Sequence, residues 1–247
     1  MIICGHRGLA GLAPENTLAG LYAAYEAGLS WVEIDVQLSQ DHQVVVFHDK
    51  RLERCTNGQG YLHQSSWRKL STLDAGYRFS EAFVGEPIPL LRDYLAKAQQ
   101  LNLGVNIELK LYSDQAIAPL CAAVSQIINP LLALGLWRPE KLLLSSFSVP
   151  ALATLSRLAP KAWRALLVER IPHTWAQQLH SLGTHILHCQ HNKLTHAQAR
   201  PLIEAGYRLS CYTVNNQARA ELLASWGVHM IFCDVPLTSP NRVTNNT

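Results

Sequence analysis

The chain has 247 residues, 48% of them hydrophobic and 16% charged, which excludes a disordered segment and supplies a sizeable core. Its net charge of +3 is too small to point to nucleic acid, and no basic run with interleaved aromatics occurs. No apolar stretch approaches the ~20 residues of a membrane span, and His6 and Arg7 interrupt the first apolar run with no cleavage-site pattern after it, so neither an integral membrane segment nor a signal peptide is expected and a cytoplasmic protein is read.

In chain order, a short strand over 2–5 runs into His6-Arg7-Gly8, and a helix over 16–27 opens within Pro14-Glu15-Asn16-Thr17. Strands over 31–37 and 43–48 come next, carrying Glu33, Asp35 and His48. Only Gln40-Asp41-His42-Gln43 separates them, too short for a parallel crossover of a dozen or more residues, so they form an antiparallel hairpin. With Asp41-His42 as a two-residue turn, His48 falls opposite Asp35 and Lys50 opposite Glu33. Glu33 and Asp35 share a face by the two-residue repeat. A slip of one residue removes that grouping.

Residues 50–90 break the alternation. They hold Gly58, Gly60, Gly76, Gly85, Pro87 and Pro89 with Tyr61, Trp67, Tyr77, Phe79 and Phe83, and read as an insertion with its own small core over the mouth of the fold. Beyond them, helix and strand patterns alternate to the end. Helices are predicted over 91–102, 114–134, 149–158, 173–182, 195–205 and 217–226. Strands are predicted over 104–109, 142–146, 164–168, 185–189, 208–214 and 229–233. With 43–48 set aside as the returning hairpin strand, about eight parallel strands remain, and the length is that of one (β/α)8 TIM barrel spanning 1–247. Six scattered cysteines form no C-x-x-C pair; Cys4, Cys189, Cys211 and Cys233 fall in or beside strands and read as small buried hydrophobes.

In such a barrel the strand ends carry the chemistry. Glu33-x-Asp35 alone fits an ordinary exposed strand face. Glu108, at the end of 104–109, changes that: three carboxylates on one mouth repel unless a cation lies between them, and hard oxygens favour Mg²⁺ or Ca²⁺. Either His6 or His48 alone fits a hydrogen-bonded core residue, but as a pair near neutral pKa they can supply an acid and a base. Arg7 offers a donor fork for phosphate oxygens and Lys110 a compact positive charge. His180, His185, His188, His191 and His196 read as a mix of surface and loop residues, with His188 or His191 able to reach a substrate at the mouth.

These clusters resemble the glycerophosphodiester phosphodiesterases over nearly the whole chain, and are similar to the cytoplasmic bacterial type associated with glycerol-3-phosphate uptake. The resembling segments include His6-Arg7-Gly8, Pro14-Glu15-Asn16-Thr17, Glu33-Ile34-Asp35, His48-Asp49, Leu52-Glu53-Arg54, Thr56-Asn57-Gly58, Asn106-Ile107-Glu108-Leu109-Lys110, Ser145-Ser146-Phe147, Tyr212-Thr213-Val214-Asn215 and Phe232-Cys233-Asp234. Two positions depart from the family pattern: Asp41-His42, where Asp-Gly is usual, and Tyr212, where tryptophan is frequent. The resemblance implies a barrel with the insertion after the hairpin and a divalent metal on Glu33, Asp35 and Glu108. It implies His6 and His48 as the acid–base pair, with Arg7 and Lys110 on the phosphate. The expected substrate is a glycerophosphodiester, hydrolysed to sn-glycerol 3-phosphate and an alcohol. A lipid-active phosphodiesterase of the phospholipase C or D kind and a non-catalytic sugar-phosphate binding barrel are the rival readings.

Overall fold

The computed structural model describes residues 1–113 and 116–238. In chain order it contains β1 (Ile2–Gly5), α1 (Leu18–Glu26), β2 (Trp31–Leu38), β3 (Val44–Val46), α2 (Trp67–Leu70), α3 (Leu91–Gln100), β4 (Gly104–Leu109), α4 (Ile117–Ala133) and β5 (Leu142–Ser146). These are followed by α5 (Val149–Leu158), β6 (Trp163–Val168), α6 (Trp175–Ser181), β7 (Ile186–Gln190), α7 (His196–Glu204), β8 (Arg208–Tyr212), α8 (Gln217–Ser225) and β9 (Met230–Cys233). The expected helix over 114–134 starts on residues 114 and 115, which lie outside the described residues. No helix among the described residues is long and apolar enough to cross a membrane.

The sheet runs β1-β9-β8-β7-β6-β5-β4-β2-β3, and β1 also pairs with β2. Every pairing except β2–β3 is parallel, so β1, β2 and β4–β9 close an eight-stranded TIM barrel, with β3 as an antiparallel strand outside it. Closure needs helices that stop cleanly and turn back. Ser148 caps α5 by accepting from the Ala151 amide, Thr195 and Gln198 form a capping box on α7, and Asn216 caps α8.

Two apolar shells follow from the alternation of side chains along the barrel strands. Outward residues such as Val32, Ile34, Val36, Val105 and Ile107 join the helices in the main core. Inward residues Cys4, Trp31, Leu143, Ala165, Ile186, Met230 and Phe232 fill the barrel. Gly104 makes room for Trp31: a Cβ there would lie 2.5 Å from ring carbons of the indole. A third cluster, with Val45, Phe47, Leu52, Leu62, Leu70, Ala75, Ile88 and Leu90, sits under the 50–90 segment and gives it the separate small core its aromatics and glycines suggest. The cysteines are all free, and five of the six are buried.

The hairpin register differs from expectation. Val36 pairs with Val46, Gln37 with Val45 and Leu38 with Val44, one residue away from a two-residue turn at Asp41-His42. The connection instead has three residues, Gln40-Asp41-His42. His42 adopts a left-handed φ of 58°, and the Ser39 amide donates to the Gln43 carbonyl at 3.0 Å. Asp35 therefore faces Phe47, whose amide donates to the Asp35 carbonyl at 2.9 Å, and His48 does not pair with Asp35, nor Lys50 with Glu33, across the ladder.

Candidate active site

The site is built where β1, β2 and β4 end. β2 and β4 are neighbours in a register that sets Glu33 beside Asn106 and Asp35 beside Glu108, so the carboxylates of both strands rise on the inner face at the C-terminal mouth. Oxygen atoms of Glu33, Asp35 and Glu108 lie within 4.8 Å of one another. Glu33 and Asp35 are only 3% and 1% exposed, so little water screens their repulsion. Burial first, and then the charge of Asp35, pushes the Glu33 carboxyl up to about 8; the same two causes raise Glu108.

Around this cluster the chain places cations and donors. After β1, Arg7 and Gly8 take left-handed φ values of 52° and 91°. Gly8 is required by proximity: a Cβ would lie 2.6 Å from the Gly20 carbonyl carbon of α1. The resulting turn aims the Arg7 amide at Glu33 Oε2 (2.9 Å), while its guanidinium donates to Glu15 (2.8 Å) and lies 3.4 Å from Asp35. Asn16 ties the same carboxylate, donating to Asp35 Oδ2 at 2.9 Å and accepting from the Asp35 amide at 3.0 Å. Lys110 donates to Glu108 at 2.8 Å and stands 3.6 Å from Asp35. Burial works against its charge, but Glu108 and Asp35 outweigh it and raise the ammonium pKa.

Both histidines are held by a carboxylate on one ring nitrogen. His6 Nδ1 is 2.7 Å from Asp234, which Asn215 holds in turn at 2.7 Å, and His6 Nε2 faces Glu33 at 3.9 Å. His48 Nδ1 is 2.7 Å from Asp49. His48 reaches the mouth by a different route from cross-strand pairing: β3 ends at Val46, and Gln37 Nε2 lies 2.8–2.9 Å from the carbonyl oxygens of Phe47, His48 and Asp49, gathering that stretch against β2. The two imidazoles differ electrostatically. Burial lowers the His6 pKa, but the bond to Asp234 and the charge of Glu33 outweigh it, leaving His6 above the ordinary histidine value. Burial also lowers His48, opposed by Asp35 and reinforced by Arg7 and Lys110, and there the net shift is downward.

All seven predicted site residues thus sit at or beside one end of the barrel. Several partners carry no role in the sequence reading, although most lie in its motif segments: Asp234, Asn215, Asp49, Glu15, Asn16, Arg54 and Gln37. Arg54 of the insertion forks onto Glu15 (2.7 and 2.8 Å) and also bonds Asp49, so it links the Arg7 and His48 sides of the mouth.

Residues 6–238 match the glycerophosphoryl diester phosphodiesterase family. The chain belongs to that family. It is 30% identical over 243 residues to a glycerophosphodiester phosphodiesterase of Caldanaerobacter subterraneus subsp. tengcongensis, covering 98% of this chain and 97% of that protein. Among solved structures, it is similar to an Oleispira antarctica phosphodiesterase in complex with the product sn-glycerol-3-phosphate, at TM-score 0.90 and 33% identity, covering 96% of this chain and 94% of that one. A glycerophosphodiester phosphodiesterase from Agrobacterium tumefaciens is similar at TM-score 0.78 and 29% identity, covering 96% and 97%. The barrel and the extra strand described above are therefore the fold of a glycerophosphoryl diester phosphodiesterase family member.

Proposed function

We propose that this chain is a divalent-metal-dependent hydrolase of glycerophosphodiesters, releasing sn-glycerol 3-phosphate and an alcohol. The observation that carries the reading is the cluster of Glu33, Asp35 and Glu108, flanked by two carboxylate-held histidines and by Arg7 and Lys110. The donor set fits a metal. Two buried carboxylates and the half-buried Glu108 repel one another, the Glu33 Oε1 atom has no hydrogen-bond partner, and all the donors are hard oxygens suited to Mg²⁺ or Ca²⁺. When bound, such an ion supplies charge stabilisation to a phosphoryl oxygen.

The rest of the chemistry falls to the chain's own groups. Arg7 and Lys110 place positive charge where a phosphodiester's oxygens would sit. His48, with its lowered pKa, suits the base that takes a proton from the attacking oxygen. His6 suits the acid that protonates the leaving alcohol oxygen, because its raised pKa rests first on Asp234, outside the carboxylate cluster. The assay that tests the whole reading measures glycerol 3-phosphate release from a panel of glycerophosphodiesters before and after chelation. EDTA is expected to abolish release, and added Mg²⁺ or Ca²⁺ to restore it; full activity in metal-stripped protein would exclude the three-carboxylate site.

A further inference from the structure

Behind the carboxylates a small cavity continues into the barrel. Its volume is about 40 Å³, and it reaches from His6, Glu33 and Glu108 to Asn106 and His188, with Phe232 and Tyr212 among its walls. His188 is fully buried, and neither of its ring nitrogens has a hydrogen-bond partner; Asn106 is 1% exposed, and its Oδ1 atom has none either. An orphaned buried polar atom has given up its hydrogen bonds to water with nothing in return, so three around one cavity call for an occupant.

The chemistry of the orphans selects that occupant. Burial, with some help from His229, drives the His188 pKa down to about 3, so the ring is neutral and presents one N–H donor and one acceptor nitrogen. Asn106 adds an acceptor. A partner must therefore both donate and accept, which a hydroxyl does, whereas an ammonium offers no acceptor and a fully ionised phosphate no donor. Size agrees: at roughly 10–15 Å³ for each water-sized position, the cavity takes about three such groups. That space suits a hydroxymethyl group.

We propose that His188 and Asn106 form a hydroxyl-recognition subsite for the terminal hydroxymethyl of the glycerol moiety, a specificity determinant that rests on the glycerophosphodiesterase reading above. The test compares a glycerophosphodiester with the matching 2-hydroxyethyl diester. The latter keeps the hydroxyl next to the ester carbon and lacks only the terminal hydroxymethyl. A site built to bond a substrate hydroxyl rejects the analogue lacking it, so the wild type should prefer the glycerol diester by roughly 10²-fold or more in kcat/KM. His188→Leu should cut that preference below about tenfold by slowing the glycerol diester alone, and His188→Gln, which keeps a donor and an acceptor, should retain most of it. Calorimetric binding of sn-glycerol 3-phosphate against 2-hydroxyethyl phosphate should show the same ordering. Should His188→Leu not fold, Asn106→Ala on another strand serves as the second variant and should lose preference likewise. Equal turnover of both diesters by wild type, or an equal fall on both in the variants, as for a cavity that only houses structural water, overturns the subsite while leaving the parent reading intact. No wild-type turnover of either diester removes the parent reading and the subsite with it.

Discussion

At the scale of single residues, the catalytic proposal rests on two imidazoles whose Nδ1 atoms are each fixed 2.7 Å from a carboxylate, leaving Nε2 for the reaction. His6→Ala and His48→Ala are each expected to lower turnover by roughly 10²-fold or more, and the double variant to lose far less than the product of the two, because both act in one step. Steady-state kinetics on the three variants, with circular dichroism as the fold control, checks this; multiplicative losses would separate the two residues. The convergence of His6, Arg7, Glu33, Asp35, His48, Glu108 and Lys110 at one barrel end is legible in the sequence because each is an ionisable residue on or just beyond an apolar run. Asp234 was not legible as the partner of His6. The two are 228 positions apart, and only the pairing of β1 with β9 brings them together.

At the scale of elements, the hairpin shows where sequence reasoning stops. Pattern alone identifies two antiparallel strands but does not count the turn residues, and His42 enters the left-handed region without being glycine. The one-residue difference removes the cross-strand contact between His48 and Asp35, and Gln37 takes over the positioning. Gln37→Leu is therefore expected to lower kcat by roughly tenfold or more, the scale of a misplaced catalytic group. Metal affinity and fold should be kept, and kinetics with calorimetric metal titration separate these outcomes. Unchanged kcat would show that the Tyr112 hydroxyl, which donates to the His48 carbonyl, and the Phe47 amide on the Asp35 carbonyl hold His48 without Gln37.

The insertion is tied to the mouth by a second element-scale contact, Arg54 on Glu15. Burial opposes the Glu15 charge, but Arg54 and Arg7 outweigh it and bring the carboxyl from 4.5 to about 2. A depressed folded-state pKa contributes stability above the unfolded value, and that contribution fades as pH falls from about 4.5 towards 2. The half-exposed Arg54 reduces the tie to about 1–2 kcal/mol. Glu15→Gln should lower the urea midpoint at pH 7, and its deficit against wild type should shrink between pH 5 and pH 3; a deficit constant over that range would place the effect elsewhere.

At the scale of the molecule, closing the barrel forces like charges together. Glu33 and Asp35 come from β2 and Glu108 from β4, and their inward alternation leaves them no route apart. Sequence pattern made that convergence legible, because strand count and the carboxylate positions on two strand ends were both readable. How the fold bears the repulsion was not readable, since it depends on burial at 3% and 1% exposure and on the spacing of oxygens across a register. Without a bound cation the repulsion is relieved by proton uptake: the Glu33 carboxyl, at about 8, is mostly protonated at pH 7. A metal must displace that proton, so binding Mg²⁺ or Ca²⁺ at pH 7 should release close to one proton per site, and affinity should rise with pH up to about 8. Titration calorimetry in buffers of different ionisation enthalpy measures the released proton directly. Glu33→Gln should reduce the release and weaken binding together. Metal binding with no proton released at pH 7 would mean that the cluster is fully ionised before the ion arrives and that Arg7 and Lys110 alone balance its charge.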